Sequence, residues 1–182
     1  MTDLTDALYR GDRESADAIA GTRDIDVFEA AALGRTERVR EHLDADPELA
    51  RAWTDDGFTA LHYAAFFGDP ETARLLIDRG ADVNVIARHT QLVVAPIHSA
   101  VASEQVETVR ALLDAGADPN ARQEGGFTAL HGAAMEGNRE LAELLLERGA
   151  DPTIASDDGR TATSYAAEKG HDELAALLAP AG

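Results

Sequence analysis

The apolar positions of this chain recur with the spacing of paired short helices. In the clearest stretch, one helical face carries Leu61, Ala64 and Ala65. Gly68 follows as a predicted helix end, Asp69 as the N-cap of a second helix, and Pro70 as its first residue. Gly80 is predicted to end that second helix, whose apolar positions are Ala73, Leu75, Leu76 and Ile77. The pattern therefore predicts two helices joined by a tight turn.

The phrase that opens the first helix returns along the chain at a nearly constant interval. It reads GFTALHYAA at residues 57–65, APIHSAV at 95–101, GFTALHGAA at 126–134 and, more loosely, GRTATSYAA at 159–167. Its histidines, His62, His98 and His131, lie 36 and 33 residues apart. Such a period is typical of a stacked solenoid, because a unit of this size buries its apolar face only against its neighbours.

A second phrase recurs in register with the first, and the two together resemble a known family. It reads GADVN at residues 80–84, GADPN at 116–120 and GADPT at 149–153. The two phrases resemble the ankyrin repeat over nearly the whole chain. The resemblance implies an all-α solenoid of stacked antiparallel helix pairs with hairpin-like loops, and a protein-binding function. It also implies that His62, His98 and His131 join neighbouring turns through their ring nitrogens.

The same register divides the chain into about five repeats and an N-terminal capping helix pair, all within one domain, 1–182. The cap is predicted at 1–23, repeats at 24–53, 54–87, 88–122 and 123–155, and a C-terminal capping repeat at 156–182. Thr163 and Ser164 replace the leucine and histidine of the phrase in the last repeat, as suits a polar end. The final helix is predicted to end at Pro180, which gives six helix pairs in total.

The third repeat departs most from the pattern. The 36-residue interval makes its loop three residues longer, and Glu104 stands where other repeats have glycine. Insertions in repeat proteins map to loops and often to the binding face, so residues 88–94 are expected to contribute to partner choice. Within the loop, one group is expected to anchor back onto the stack: Leu92, Val93 and Val94. Another is expected to face outward: Arg88, His89 and Gln91.

The charge narrows the range of partners. Acidic residues number 34 against 16 basic ones, a formal net charge of −18. That sign repels nucleic acid and anionic lipid, which leaves either a merely solubilising surface or a basic protein partner. The absence of cysteine, of a membrane-length apolar run and of a signal sequence predicts a cytoplasmic protein without membrane contact. We expect it to be monomeric.

No sequence motif indicates catalysis, a cofactor or a metal site. Nucleophile elbows, phosphate-binding glycine loops and zinc-protease motifs do not occur in the sequence. Repeats stack roughly 10 Å apart, so the three recurring histidines are not expected to share one ion. The pairs Asp55–Asp56 and Asp157–Asp158 suit acid–base chemistry or calcium, but solvated loop tips are the commoner explanation. The chain is therefore predicted not to be an enzyme.

The predicted function is that of a protein-binding scaffold that uses its concave face and loop tips. One alternative is a regulatory or inhibitory subunit whose acidic face masks a basic surface of an enzyme or toxin-like partner. A less favoured alternative is a metal-dependent or hydrolytic site in the acidic loops. Phe66 and Phe67 are either exposed anchors or packing filler. The predicted partner-binding residues are Trp53, Asp55, Asp56, Phe58, Phe66, Phe67, Arg88, His89, Gln91, Glu124, Phe127, Met135, Glu136, Asp157, Asp158 and Arg160.

Overall fold

The computed structural model describes residues 2–89 and 92–179. Within these ranges the chain forms twelve short α-helices in six pairs, as the periodicity predicts. The first helices of the pairs are α1 (Asp3–Tyr9), α3 (Val27–Ala32), α5 (Ala60–Phe67), α7 (Pro96–Ala102), α9 (Ala129–Glu136) and α11 (Ala162–Glu168). The second helices are α2 (Arg13–Ala20), α4 (Thr36–Ala45), α6 (Pro70–Asp78), α8 (Val106–Asp114), α10 (Arg139–Glu147) and α12 (Asp172–Leu178). Each pair lies within one of the six predicted segments, and Pro180 lies outside the described residues.

The turn between the helices of a pair forms as its residues predict. Gly68 adopts a φ of +82°, the left-handed conformation that ends α5, and its N–H reaches the carbonyl of Ala64. The Asp69 carboxylate then accepts a hydrogen bond from the Thr72 N–H at 2.9 Å, which caps α6. In the third repeat the left-handed position falls on Glu104, at φ +56°. A residue with a side chain is strained there, because its Cβ crowds the following carbonyl.

The core is a continuous row of small and branched apolar side chains that runs through the stack. Leu61, Leu76, Leu130 and Leu145 are almost completely buried, as are most alanines of the first helices. Because alanine is small, neighbouring first helices pack closely, and they contact one another more extensively than the second helices do. We call the side lined by the first helices and the hairpin tips the concave face.

Hydrogen bonds between neighbouring loops join the layers. The N–H of Arg88 donates to the carbonyl of Gly57 at 2.8 Å, and the N–H of Asp157 donates to that of Gly125 at 2.8 Å. On the other side of the loops, the Asn120 side chain accepts from the Asp151 N–H at 2.8 Å and donates to the Gly149 carbonyl at 3.0 Å. Each repeat is thus fixed to the next through its backbone, which keeps the loop tips in register.

The hairpins confirm the insertion in the third repeat. In the second repeat the N–H of Thr54 donates to the carbonyl of Phe58, whereas in the third the N–H of Ala87 donates to the carbonyl of Val94. The third hairpin therefore encloses three more residues between its bonded ends. This extra length extends the loop over the concave face beside α5 and α7.

Candidate partner-binding surface

The three recurring histidines link successive repeats. His62 Nδ1 accepts from the Thr59 N–H at 3.3 Å, so its Nε2 carries the proton, which it donates to the Val94 carbonyl at 3.1 Å. His98 Nε2 donates to the Ala121 carbonyl at 3.0 Å, and His131 Nε2 to the Arg160 carbonyl at 3.2 Å. Each imidazole spans from the start of its own helix to the following hairpin.

Burial holds these imidazoles in the neutral form. It lowers the pKa of His62 to about 4, the opposing effect of the hydrogen bond to Val94 being smaller. Burial also lowers the pKa of His98 and that of His131. Among residues 2–89 and 92–179, no three His, Asp or Glu side chains are grouped so as to hold a metal ion.

Three aromatic rings from two helix pairs meet on the concave face. Tyr9 of α1 lies 5.2 Å from Phe66 and 5.1 Å from Phe67 between ring centroids, and the two phenylalanines are 5.2 Å apart. Phe67 packs against the core, which makes it partly filler, whereas Phe66 lines the surface groove described below. Ala32 holds the equivalent position in the intervening repeat and is fully buried. Its small side chain allows the rings of α1 and α5 to meet.

Two of these rings, Tyr9 and Phe66, form one wall of an apolar groove. Its cavity measures about 300 Å³ and is lined chiefly by carbon atoms. It runs from Tyr9 and Phe66 to Gln123, where the hairpin of the fourth repeat begins. The remaining lining residues are Phe58, His62, Tyr63, Leu92, Val94, His98, Ser99, Ala102 and Gln123. We call this cavity the aromatic groove. Tyr9 and Leu92 are 43% and 47% exposed, so the groove presents apolar surface to solvent.

An acidic cleft adjoins the aromatic groove and shares Tyr63 with it. This second cavity, of about 320 Å³, is lined by three aspartates, Asp26, Asp55 and Asp56, together with Trp53. Asp56 also lines a separate open cavity next to the aromatic groove, together with Tyr9, Phe58 and Leu92. Burial raises the pKa of Tyr9, and the nearby Asp56 charge raises it further. We call this second cavity the acidic cleft.

Part of the acidic cleft is neutralised within the chain. Glu29, which is 2% exposed, forms a two-pronged ion pair with Arg23 at 2.6 and 2.7 Å. The Arg23 hydrogen bonds hold the pKa of Glu29 below its usual range. Glu29 and Asp26 also cap α3 reciprocally, which replaces the histidine arrangement of the later repeats. Asp55 is exposed and Asp56 partly so; the Thr54 hydroxyl donates to Asp56 at 2.5 Å.

The inserted loop does not fold back as expected. Leu92 and Val93 are 47% and 45% exposed, so the expectation that they anchor on the stack is wrong, and only Val94 is half-buried. His89, expected to face outward, instead stacks on Phe58 with ring centroids 5.5 Å apart. The hairpin bond closes at Val94, which leaves the two preceding apolar residues at the tip.

Arg88 is exposed, as expected of an outward-facing residue of this loop. Its guanidinium lies 4.0 Å from the centre of the Trp53 ring, a cation–π contact at the edge of the acidic cleft. Gln91 lies outside the described residues. The described part of the loop thus contributes the Arg88 cation and the exposed side chains of Leu92 and Val93 to the concave face.

The predicted residues of the C-terminal half do not line this groove, and several of them have partners of their own. The Arg160 guanidinium donates to Asp158 at 2.7 Å, pairs with Glu168 at 2.5 Å and lies 4.2 Å from the Tyr165 ring centre. Arg160 thereby holds the pKa of Asp158 well below its usual range. Phe127 packs against Tyr165 of α11, in the next repeat, with ring centroids 5.2 Å apart.

The remaining predicted residues of that half have varied exposure. Asp157 pairs with Arg122 at 3.2 Å. Glu124 and Glu136 are exposed, and Met135 is half-buried. Several carboxylates of the C-terminal half are therefore paired with arginines of the same chain, and its surface is more polar than the aromatic groove.

Several groove residues, Tyr63 and Gln123 among them, were not among the predicted partner-binding residues. Tyr9 was missed, although it stands two residues before Gly11 as Phe66 stands two before Gly68, and that register was the available signal. Ser99 and Ala102 were missed because small side chains give no signal of their own. Their small side chains leave the space that forms the cavity of the groove.

Stacked helix pairs with linked loop tips and an open concave groove define a helical protein-interaction scaffold. The family model for ankyrin repeats matches in three copies, at residues 7–87, 27–123 and 97–182. The chain therefore belongs to the ankyrin-repeat family, as its recurring phrases predict. Ankyrin repeats serve as protein–protein interaction modules, and this is the general function that the family assigns to the chain.

Several known proteins are similar to part of this chain. A probable E3 ubiquitin-protein ligase XBOS31 of Oryza sativa is 46% identical over 77 residues, 41% of this chain and 17% of that protein. The human DNA-binding protein RFXANK is 34% identical over 83 residues, 45% of this chain and 31% of that protein. An ankyrin repeat-containing protein of Schizosaccharomyces pombe is 39% identical over 61 residues, 32% of this chain and 28% of that protein. Each alignment spans less than a third of the relative.

The helices of the described segments are all short. None of them has both the length and the apolar character that crossing a membrane requires.

Proposed function

We propose that the chain binds a partner protein along its concave face, with the aromatic groove as the main contact, and that it has no chemistry of its own. The observation that carries this proposal is the cluster of Tyr9, Phe66 and Phe67 beside a partly open apolar cavity. Exposed apolar surface of this kind typically marks an interaction site. Aromatic anchors surrounded by polar groups are the usual composition of an interface hot spot.

The test is affinity capture from the source cell with matched single variants. Phe66→Ala removes a groove wall, whereas Phe67 is unsuitable because its ring also packs on the core. Ile86→Ala is the control, since Ile86 is 41% exposed and does not line the groove. We expect Phe66→Ala to lose a partner that the wild type and Ile86→Ala retain, with all three folded by circular dichroism. Cross-links from the captured partner that fall only on the second helices would contradict the proposal.

A regulatory role that masks a basic surface is a second candidate, favoured by the acidic cleft and the net charge of −18. Electrostatic steering predicts an association rate that falls as salt is raised, whereas aromatic anchoring alone predicts little change. The partner's own activity, measured with and without the chain, then distinguishes masking from simple docking. For the metal-dependent alternative, a rise in melting temperature with calcium or zinc is the outcome to look for.

A further inference from the structure

We infer that the aromatic groove and the acidic cleft together select a partner segment that carries one large apolar side chain beside a lysine or arginine. This inference rests on the proposed function and adds the chemistry of the partner. The groove receives the apolar side chain, and the carboxylates of the cleft face the cation. The two cavities meet at Tyr63, which lines both.

The apolar half of the site exists because the third repeat carries small residues. Ala102 occupies the position held by Phe66 in the repeat before and Met135 in the repeat after. Ala102 is exposed, and with Ser99 it forms the floor of the groove between larger neighbours. The resulting volume of about 300 Å³ is at the small end of the range of ligand pockets, which is roughly 300–1,000 Å³. An aromatic or branched side chain fits this space better than an extended backbone.

The charged half of the site lies within reach of the same ligand. Asp56 lines the acidic cleft with Asp55, and it also lines a separate open cavity whose walls include Tyr9 and Phe58 of the aromatic groove. Asp55 is exposed in the cleft, and the Thr54 hydroxyl donates a hydrogen bond to Asp56. The Arg88 guanidinium lies over Trp53 at the rim of the cleft, and the net charge of the chain is −18. Charge complementarity therefore favours a basic neighbour to the apolar anchor over an acidic one.

Short synthetic peptides test this selectivity directly. The probes are three end-blocked peptides, Gly-Ser-Arg-Phe-Arg-Ser-Gly and its analogues with Ala in place of Phe or Glu in place of both Arg. Each is titrated into the full ¹⁵N-labelled chain at fixed ionic strength, and amide shifts near Phe66, Ser99 and Asp56 are followed. We expect binding by the first peptide and at least about tenfold weaker binding by each analogue, a factor equivalent to about 1.4 kcal/mol.

Two variants with matched controls locate the binding. Ala102→Phe fills the groove with a side chain that the neighbouring repeat already carries, and Ala18→Phe adds the same bulk at an exposed position of α2. Asp56→Asn removes one charge from the cleft. Glu140→Gln removes one charge from an exposed position of α10. We expect Ala102→Phe to abolish peptide binding, Asp56→Asn to weaken it severalfold, and both controls to leave it unchanged.

Several results would overturn the inference. These are no shift at about 5 mM of the first peptide, equal binding of the three peptides, or binding unaffected by Ala102→Phe. Concentration-dependent shifts of the same amides without peptide would instead assign the groove to a second copy of the chain. If the captured partner cross-links to the concave face but Ala102→Phe still captures it, this inference fails and the proposed function stands. If the partner cross-links elsewhere, the proposed function itself fails.

Discussion

Acidification is expected to weaken the fold through His62. This side chain is 2% exposed, and its ring receives the Thr59 N–H at Nδ1 and donates from Nε2 to the Val94 carbonyl. A second proton would be placed on Nδ1, facing the Thr59 N–H group, on a ring that has almost no exposure to water. Burial accordingly lowers the pKa of His62 to about 4, whereas an unfolded histidine titrates near about 6.5.

The sign and size of the effect follow from these two values. Well above pH 6.5 the ring is neutral in both states, so the full stability of the neutral contact is present. As the pH falls from about 6.5 to about 4, the unfolded chain binds the proton first and the free energy of unfolding falls. At about 1.36 kcal/mol per pH unit, the total loss is about 3 kcal/mol, of which about 2 kcal/mol has occurred at pH 5.

Urea denaturation at fixed ionic strength between pH 5 and 7.5 measures this effect, with helix content followed by circular dichroism. Lowering the pH also relieves repulsion within an acidic chain, so wild type is compared with His62→Gln, which shares that background. We expect the variant to be less stable at pH 7.5 but to lose about 2 kcal/mol less than wild type on going to pH 5. His98→Gln should differ from wild type in the same direction. Parallel pH profiles for wild type and His62→Gln would refute the reasoning.

Three further substitutions test individual contacts, each by the urea midpoint at pH 7.5. Glu104→Gly removes a side chain from a left-handed position at the cost of one exposed hydrogen bond to Asn138, and should stabilise the fold by about 0.5 kcal/mol. Asn120→Ala removes two hydrogen bonds to the next repeat and should destabilise by about 1–2 kcal/mol. Phe67→Ala should cost more stability than Phe66→Ala, because only Phe67 packs on the core; equal costs would contradict that difference.

The repeating layers were predictable because every layer obeys the same local rules. Apolar spacing, the left-handed Gly68 and the Asp69 cap each act within a few residues, so the sequence alone predicts the helix pairs. The first full repeat is the exception. Glu29 stands there at the capping position that a histidine holds in later repeats, and it forms an ion pair with Arg23. Neither residue belongs to the recurring sequence motif, so the ion pair was not predicted.

The groove was less predictable because it depends on contacts between different repeats. Tyr9 reaches Phe66 across an intervening repeat only because Ala32 is small, and the cavity beside Phe66 depends on Ala102. The exposure of Leu92 depends on where the hairpin bond closes. None of these features follows from a residue and its near neighbours alone, so the sequence pointed to Phe66 but not to the site around it.

Hydrogen–deuterium exchange of the chain, free and bound to the captured partner, tests the central claim most directly. If the partner occupies the aromatic groove, protection will appear at the second hairpin and α5, and at the third hairpin and α7, while α4, α6 and α8 exchange as in the free chain. Protection confined to those second helices, with the groove segments unchanged, would contradict it.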